Sequence, residues 1–208
     1  MKLYVTPPSP RAFKAMALRN HLGLDCELCY IDFTKGDQHR PDFVALNPNE
    51  RMPVLEHDGY VLWESNAILR YLASLKPESG VWPADAKGQA DVIRWMSWEG
   101  AHWAPACAPF AFERVAKKFL GLGAPDAAAI AKGEPEFHKF ANVLNLSLKG
   151  RKWLTGNDLT IADFSVGSWM TLAQAAQYPL ANYPEITRWY DALASLPGWK
   201  ELPLPAAA

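Results

Sequence analysis

"KLYVTPPSPRAFKA", residues 2–15, joins a short β-like run to a helix-like stretch through two successive prolines. Residues 3–5 are typical of a strand, and the prolines after them cannot continue it. Ser9 followed by Pro10 is a favourable helix start, because serine caps free N–H groups and proline suits the first helical position. The stretch therefore predicts a strand, a tight turn and a helix, with one hydroxyl side chain at the turn.

The pattern continues as a mixture of strands and helices up to about residue 77. Residues 25–33 alternate like a strand, and residues 52–63 read as two strands joined at Asp58-Gly59, a strong hairpin signal. Residues 65–75 form an amphipathic pattern typical of a helix. The order β-α-β followed by β-β-α predicts one small mixed sheet with helices packed on it.

The second part of the chain is helical in pattern and shows no convincing strand. We predict a first domain at residues 1–77, a Pro/Gly-rich linker at 78–88 and an all-helical domain at 89–208. Thr160 and Asp163 stand three residues apart, which is the spacing of a capping box. Helical spacing covers residues 89–120, 126–148, 160–176 and 184–195.

Composition excludes several classes of function. The 208 residues include 21 basic and 22 acidic side chains, so the net charge of −1 gives no footprint for nucleic acid or an anionic membrane. No apolar stretch is long enough for a signal peptide or a membrane span. Cys26 and Cys29 lie in a predicted strand and point to opposite faces, so we expect no metal site. We expect a cytoplasmic protein without nucleic-acid or membrane partners.

Four segments together resemble the cytosolic glutathione transferases over essentially the whole chain. They are "PPSPRAF" (7–13), "NPNERMPVL" (47–55), "LWESNAIL" (62–69) and "LTIADF" (159–164). The resemblance implies an α/β thioredoxin-like N-terminal domain plus an all-α helical C-terminal domain, and a homodimer. Because a serine follows the first predicted strand, the chain most resembles the serine-type enzymes of the family, which are its phi- and theta-like bacterial members.

The resemblance implies that glutathione binds to the first domain. Met52 would offer its backbone to the cysteinyl part of glutathione, with Pro53 in a cis peptide bond. Glu64 would take the γ-glutamyl ammonium, and Ser65 would take its carboxylate. Ser65 also reads as a helix N-cap, and a helix N-terminus attracts anions.

The glycine carboxylate of glutathione has two candidate partners by this resemblance. His39 and Arg40 follow the second predicted strand, and an arginine can hold a carboxylate through two hydrogen bonds. Arg51 is the second candidate. Glu50 stands where the family commonly has glycine, which would cost about 1 kcal/mol if that turn needs a positive φ.

Ser9 is the expected catalytic residue by the same resemblance. Its hydroxyl would donate to the glutathione sulfur and stabilise the thiolate. This role is compatible with helix capping, because a hydroxyl has one donor and two acceptor sites. Two alternatives stay open: Ser9 acts only as a cap, or Thr6 contacts the sulfur instead.

A hydrophobic electrophile would bind between the two domains. Within residues 94–112, Trp103, Cys107 and Phe110 share one helix face, and His102 lies on another. An aromatic, apolar wall suits a flat electrophile, although core packing explains each residue equally well. The expected electrophile site comprises Pro8, His102, Trp103, Cys107 and Phe110.

The predicted activity is conjugation of glutathione to hydrophobic electrophiles, with reduction of organic hydroperoxides from the same thiolate. Glutathione is the co-substrate, and no metal is expected. The alternative is a non-catalytic, glutathione-transferase-like protein that binds or regulates without useful chemistry.

Overall fold

Four short strands in the first third of the chain form one mixed sheet. The computed structural model describes residues 1–200 and 202. The strands are β1 (Lys2–Val5), β2 (Glu27–Tyr30), β3 (Val54–His57) and β4 (Tyr60–Trp63), in the spatial order β2-β1-β3-β4. β1 is parallel to β2, whereas β3 is antiparallel to both of its neighbours. The predicted mixed sheet is confirmed.

The turn between β3 and β4 has the conformation that its sequence favours. Asp58 and Gly59 have φ values of 50° and 80°. Positive φ at both central residues is typical of the two-residue hairpin turn whose twist matches the strands. The strands consequently pair from Val54–Trp63 at one end to His57–Tyr60 at the other.

Helices cover both faces of the sheet. Leu3 and Val5 point to the face that carries α1 (Pro10–His21) and α3 (Ser65–Ser74), where both are fully buried. Phe43 of α2 (Pro41–Leu46) packs with Met52 and Val54 in a separate cluster, against which Tyr4 is also packed. α2 was not predicted from the sequence, because six residues are too few for helical periodicity to show.

The regular elements in the second part of the chain are helices within the described residues, as predicted, apart from one isolated β-bridge between Trp153 and Gly156. A long helix runs from Ala86 to Leu120 and passes through two π-helical segments, Glu99–Trp103 and Phe112–Ala116. Within residues 1–200, none of the helices combines the length and apolar character that crossing a bilayer would require. The helices are α4 (Ala86–Trp98), α5 (Ala104–Ala111), α6 (Lys117–Leu120), α7 (Ala127–Leu148), α8 (Ile161–Gly167), α9 (Pro184–Ala194) and α10 (Pro197–Lys200).

A buried ion pair joins the two parts of the molecule. Lys14 of α1 donates to Glu99 at 3.0 Å and to the side-chain oxygen of Asn66, next to the start of α3, at 2.7 Å. Trp169 Nε1 donates to the other oxygen of Glu99 at 2.7 Å. Burial lowers the pKa of Lys14 and opposes ionisation of Glu99. The Lys14 ammonium and the hydrogen bonds outweigh that burial, so the pKa of Glu99 lies below its usual value.

Asp163 fixes the start of α8, as the capping-box spacing predicts. Its carboxylate accepts the backbone N–H groups of Thr160 and Leu154 and the indole N–H of Trp189, at 2.9 to 3.0 Å. Burial raises the pKa of Asp163 to about 6, against the effect of these hydrogen bonds. This side chain therefore ties α8 to α9 in the helical core.

Candidate active site

A cavity of about 690 Å³ lies where the β1–α1 turn, the segment before β3 and the start of α3 meet the end of the long helix. The structure brings seven of the predicted site residues to its wall: Pro8, Ser9, Arg51, Met52, Pro53, Glu64 and Ser65. The remaining lining residues are Thr6, Pro7, Arg11, Phe33, Asn47, Phe112, Ala116, Phe119 and Leu120.

Ser9 caps α1 and faces this cavity. Its Oγ accepts the backbone N–H of Ala12 at 3.3 Å, and Pro10 occupies the first helical position. The hydroxyl proton is not used by the cap, so it can donate into the cavity. Thr6 is nearly fully buried, and its hydroxyl is directed at the carbonyl of Pro7, at 3.4 Å. The geometry favours Ser9 over Thr6 as the donor.

The segment before β3 presents backbone to the cavity. The Met52-Pro53 peptide bond is cis, as the resemblance implies. Asn47 holds the segment, since its side-chain amide donates to the carbonyl of Arg51 at 2.7 Å. Asn47 is almost completely buried, which makes it a positioning residue for the loop.

Glu50 stands at the position where the family commonly has glycine. Its φ is 55°, in the left-handed region that non-glycine residues adopt at a cost. Its carboxylate contacts His39 Nδ1 at 2.7 Å on the surface. The turn does need a positive φ, and this chain makes it with glutamate.

The start of α3 is an uncapped helix N-terminus at the cavity. Glu64 stands at the N-cap position with φ 73° and ψ 111°, and α3 has no side-chain cap within the described part of the chain. Helix α1, by contrast, is capped by Ser9. The expectation that Ser65 is the N-cap is wrong, because the helix begins at Ser65 itself. An open N-terminus of this kind offers N–H groups to an anion.

His39 and Arg40 lie outside the wall of this cavity. His39 is exposed and contacts Glu50. Arg40 donates two hydrogen bonds to Asp42, at 3.1 and 2.6 Å, and lines a separate cavity of about 300 Å³. Of the predicted partners for the glycine carboxylate, the structure brings only Arg51 to the main cavity.

Tyr4 also faces the smaller cavity. Its hydroxyl donates to Glu56 at 3.0 Å, and burial together with this carboxylate raises its pKa to about 12. Tyr4 is therefore a strand residue with a protonated hydroxyl, and it takes no part in the main cavity.

The expected electrophile wall needs a correction. Trp103, Cys107 and Phe110 do share a face, but that face is buried in the helical core and is absent from the cavity wall. His102 stacks on Phe140, with ring centroids 4.9 Å apart, and does not line the cavity either. Of the five predicted residues, only Pro8 remains in the wall.

The wall is formed instead by the next turns of the same helix. Phe112, Phe119 and Leu120 are more than one-third exposed, which is unusual for large apolar side chains. With Ala116 they recur at the i, i+4, i+7 and i+8 spacing of one helix face, a signal present in the sequence. Phe33 closes the cavity from the first domain. Phe33 and Arg11 carried no comparable periodic signal.

Comparisons with known proteins agree with this architecture. The family model described as the N-terminal domain of glutathione S-transferase matches residues 1–74, and the C-terminal domain model matches residues 95–197. The chain is 34% identical to glutathione S-transferase 3 of Zea mays, over 99% of this chain and 96% of that protein.

Solved structures give the same result. The apo structure of a glutathione S-transferase III superposes with a TM-score of 0.84 at 33% identity, over 99% of both chains. A glutathione S-transferase I bound to lactoylglutathione has a TM-score of 0.86 at 26% identity, over 96% of both chains. The predicted family and fold are confirmed: this chain belongs to the glutathione S-transferase family.

Proposed function

We propose that this protein is a serine-type glutathione transferase, similar to the phi and theta branches, that activates glutathione as a thiolate at Ser9. The observation that carries the proposal is the position of Ser9. Its oxygen serves the helix cap while its proton is available to a cavity that also contains Arg51, Met52 and Glu64. The family membership supports glutathione as the co-substrate.

We place glutathione in one orientation in the polar half of the cavity, which is lined by Ser9, Arg51, Met52, Glu64 and Ser65. Its γ-glutamyl carboxylate faces the open N-terminus of α3 at Ser65, and its ammonium faces Glu64. The backbone of Met52 pairs with the cysteinyl part in the manner of an added strand. Arg51 holds the glycine carboxylate. His39 and Arg40 lie outside the cavity wall and act only by stabilising the surface loops that contain them.

The reaction needs little beyond a stabilised thiolate. The thiol proton passes to solvent, and the Ser9 hydroxyl and the N-terminus of α1 stabilise the negative sulfur. The sulfur forms a bond to an electrophilic carbon, and the leaving group departs with its electron pair. Lowering the thiol pKa by about two units requires roughly 2.7 kcal/mol. One hydrogen bond to a charged group and a helix terminus supply an energy of that size.

Reduction of organic hydroperoxides begins from the same thiolate. The sulfur attacks the terminal peroxide oxygen, the O–O bond breaks and the alcohol leaves. A second glutathione then displaces hydroxide from the sulfenic acid and gives glutathione disulfide and water. The cavity supplies the thiolate for both reactions, and we propose conjugation as the principal one.

The test is an ultraviolet titration of the thiolate of bound glutathione against pH, combined with turnover of electrophiles. We expect the bound thiol to ionise well below its free pKa in the wild-type protein. Ser9→Ala should abolish most of the turnover and return the thiol pKa of bound glutathione to that of free glutathione, with little change in glutathione affinity. Ser9→Gly is the matched control for capping, because glycine caps nearly as well as serine and carries no hydroxyl.

Two outcomes would contradict the proposal. Equal turnover of Ser9→Gly and wild type would remove the hydroxyl from the mechanism. Binding of glutathione without a pKa shift or any turnover would instead support a non-catalytic binding protein.

The domain division at residues 1–77, 78–88 and 89–208, a homodimer and a cytoplasmic location belong to the same proposal. The last two are supported by the family alone. Light scattering should give twice the chain mass of 23.1 kDa, and a monomer would contradict the dimer.

A further inference from the structure

Arg11 is one of the charged residues in the wall of the cavity. It is exposed, two residues after Ser9, and lines the cavity together with Phe112 and Ala116. Its guanidinium sits over the ring of Trp169, 5.4 Å from the centroid. That ring is nearly fully buried and is fixed by its hydrogen bond to Glu99, so Arg11 has a rigid platform.

The Arg11 guanidinium contacts an aromatic ring but has no ion-pair partner within the described residues. Within the described residues, no carboxylate approaches its guanidinium to 4.0 Å. The cavity wall contains three charged side chains: Arg11, Arg51 and Glu64. In the proposed orientation of glutathione, Arg51 and Glu64 are matched by its glycine carboxylate and its ammonium. The γ-glutamyl carboxylate is assigned to the N-terminus of α3 and the thiolate to Ser9, so Arg11 is the charged side chain of the described wall that has no assigned partner in this orientation.

We propose that Arg11 makes the enzyme selective for electrophiles that carry an anionic group, such as an aromatic carboxylate. The inference rests on the proposed transferase function. The aromatic body packs on Phe112 and Phe119, while the carboxylate receives hydrogen bonds from the guanidinium. Because Arg11 lies two residues after Ser9 and borders the same cavity as this wall, such a substrate is anchored near the sulfur. A neutral electrophile of the same shape gains only the apolar contacts.

A matched pair of substrates tests this inference. The probes are 4-chloro-3,5-dinitrobenzoate and its neutral methyl ester. With each, the glutathione sulfur bonds to the chlorinated carbon, chloride leaves with the bonding pair, and the thiol proton goes to solvent. Each kcat/KM is divided by the uncatalysed rate constant with free glutathione, which removes the difference in intrinsic reactivity.

We expect the wild-type protein to favour the carboxylate about tenfold, the size of one charge-assisted contact. Arg11→Gln should lose this preference through a higher KM for the carboxylate, with the ester unaffected. Arg11→Lys should keep part of it. Arg94→Gln is the control, because Arg94 is an exposed arginine paired with Asp91 outside the cavity.

Four results distinguish the possible failures. An unchanged preference in Arg11→Gln overturns the inference. Loss of turnover with both probes, accompanied by a raised thiol pKa, also overturns it and assigns Arg11 to the sulfur. Absence of turnover with both probes in the wild-type protein, together with bound glutathione whose thiol pKa is not lowered, contradicts the proposed transferase function itself, and turnover of the ester alone overturns the inference.

Discussion

The two halves of the cavity are built in different ways. The glutathione half, the polar part of the wall where we propose that glutathione binds, is shaped by its backbone: a cis peptide at Met52-Pro53, positive φ values at Glu50 and Glu64, and the open N-terminus of α3. The electrophile half, where we propose that the second substrate binds, is made of exposed side chains on one helix, among them Phe112 and Phe119. Backbone groups recognise one invariant ligand with little tolerance, whereas a side-chain wall can change without disturbing the chain path.

Because of this difference, the free-energy cost of strained backbone falls on the glutathione half. Non-glycine residues with positive φ persist only where the surrounding structure holds them, and they cluster at functional sites. The described part of the chain has four such residues, and Glu50 and Glu64 both belong to the segments around this half. The apolar wall instead exposes large side chains to water, which costs solubility, and its residues have no positive φ.

The buried Lys14–Glu99 pair joins the first part of the chain to the helical part that carries the apolar wall, so breaking it should give the largest effect. Both side chains are at most 2% exposed, and Asn66 beside Ser65 is bonded to each of them. Lys14→Met leaves Glu99 buried without its counter-charge, and we expect a loss of about 3–5 kcal/mol in the free energy of unfolding. Urea denaturation followed by tryptophan fluorescence measures it.

Two variants make that result interpretable. Lys139→Met removes an exposed lysine paired with Glu136 and should cost less than about 1 kcal/mol. The double variant Lys14→Met/Glu99→Gln should recover much of the lost stability, because no unpaired charge remains. A double variant as unstable as Lys14→Met would show that lost packing, and not the unpaired charge, causes the effect.

One substitution in each half should raise the KM for the substrate of that half and leave the KM for the other substrate nearly unchanged. Ser65→Ala removes a hydroxyl at the first residue of α3, where we place the γ-glutamyl carboxylate. A hydrogen bond to a charged group contributes about 1.5–3 kcal/mol, so the KM for glutathione should rise at least tenfold. The KM for a neutral electrophile should stay within twofold, as steady-state kinetics with each substrate varied in turn will show.

Phe119→Ala should give the opposite pattern with a smaller effect. Phe119 is already 39% exposed, so only part of its apolar contact with a substrate is at stake. We expect the KM for an apolar electrophile to rise about fivefold, near 1 kcal/mol. An increase in the KM for glutathione of the same size would contradict the division of the cavity into two halves.

The smallest expected effect concerns the turn at Glu50. Glu50→Gly should stabilise the fold by about 1 kcal/mol relative to Glu50→Ala, because glycine adopts a positive φ without strain. Alanine is the matched control, since both variants lose the contact with His39. Equal stability of the two variants would show that the backbone at this turn carries no strain, and thermal unfolding measures the difference.

Three features encoded by neighbouring residues were predicted correctly from the sequence, whereas the cap predicted at Ser65 was not found. The Asp58-Gly59 hairpin, the Ser9-Pro10 helix start and the Thr160–Asp163 pair each depend on contacts within four residues. Family motifs additionally indicated the segments before β3 and at α3.

Features that depend on tertiary packing were not predictable in this way. Trp103 and Phe110 occupy one face of the long helix, but only the position of the other helices decides that this face is buried. Arg40 donates two hydrogen bonds to Asp42, and the sequence spacing does not reveal that this carboxylate competes with a ligand for the guanidinium. The apolar wall therefore had to be located from the structure.

The π-helical segment Phe112–Ala116 lies within the apolar wall and makes that wall easy to rearrange during evolution. A π-turn accommodates one residue more than an α-turn, so it is equivalent to a tolerated single-residue insertion. Loss of a single codon there would restore an α-turn and keep residues 117–120 facing the cavity, because the extra residue is absorbed within the π-turn itself. One genetic event would thereby change which side chains of residues 112–116 the wall exposes, while Phe119, Leu120 and the glutathione half kept their positions.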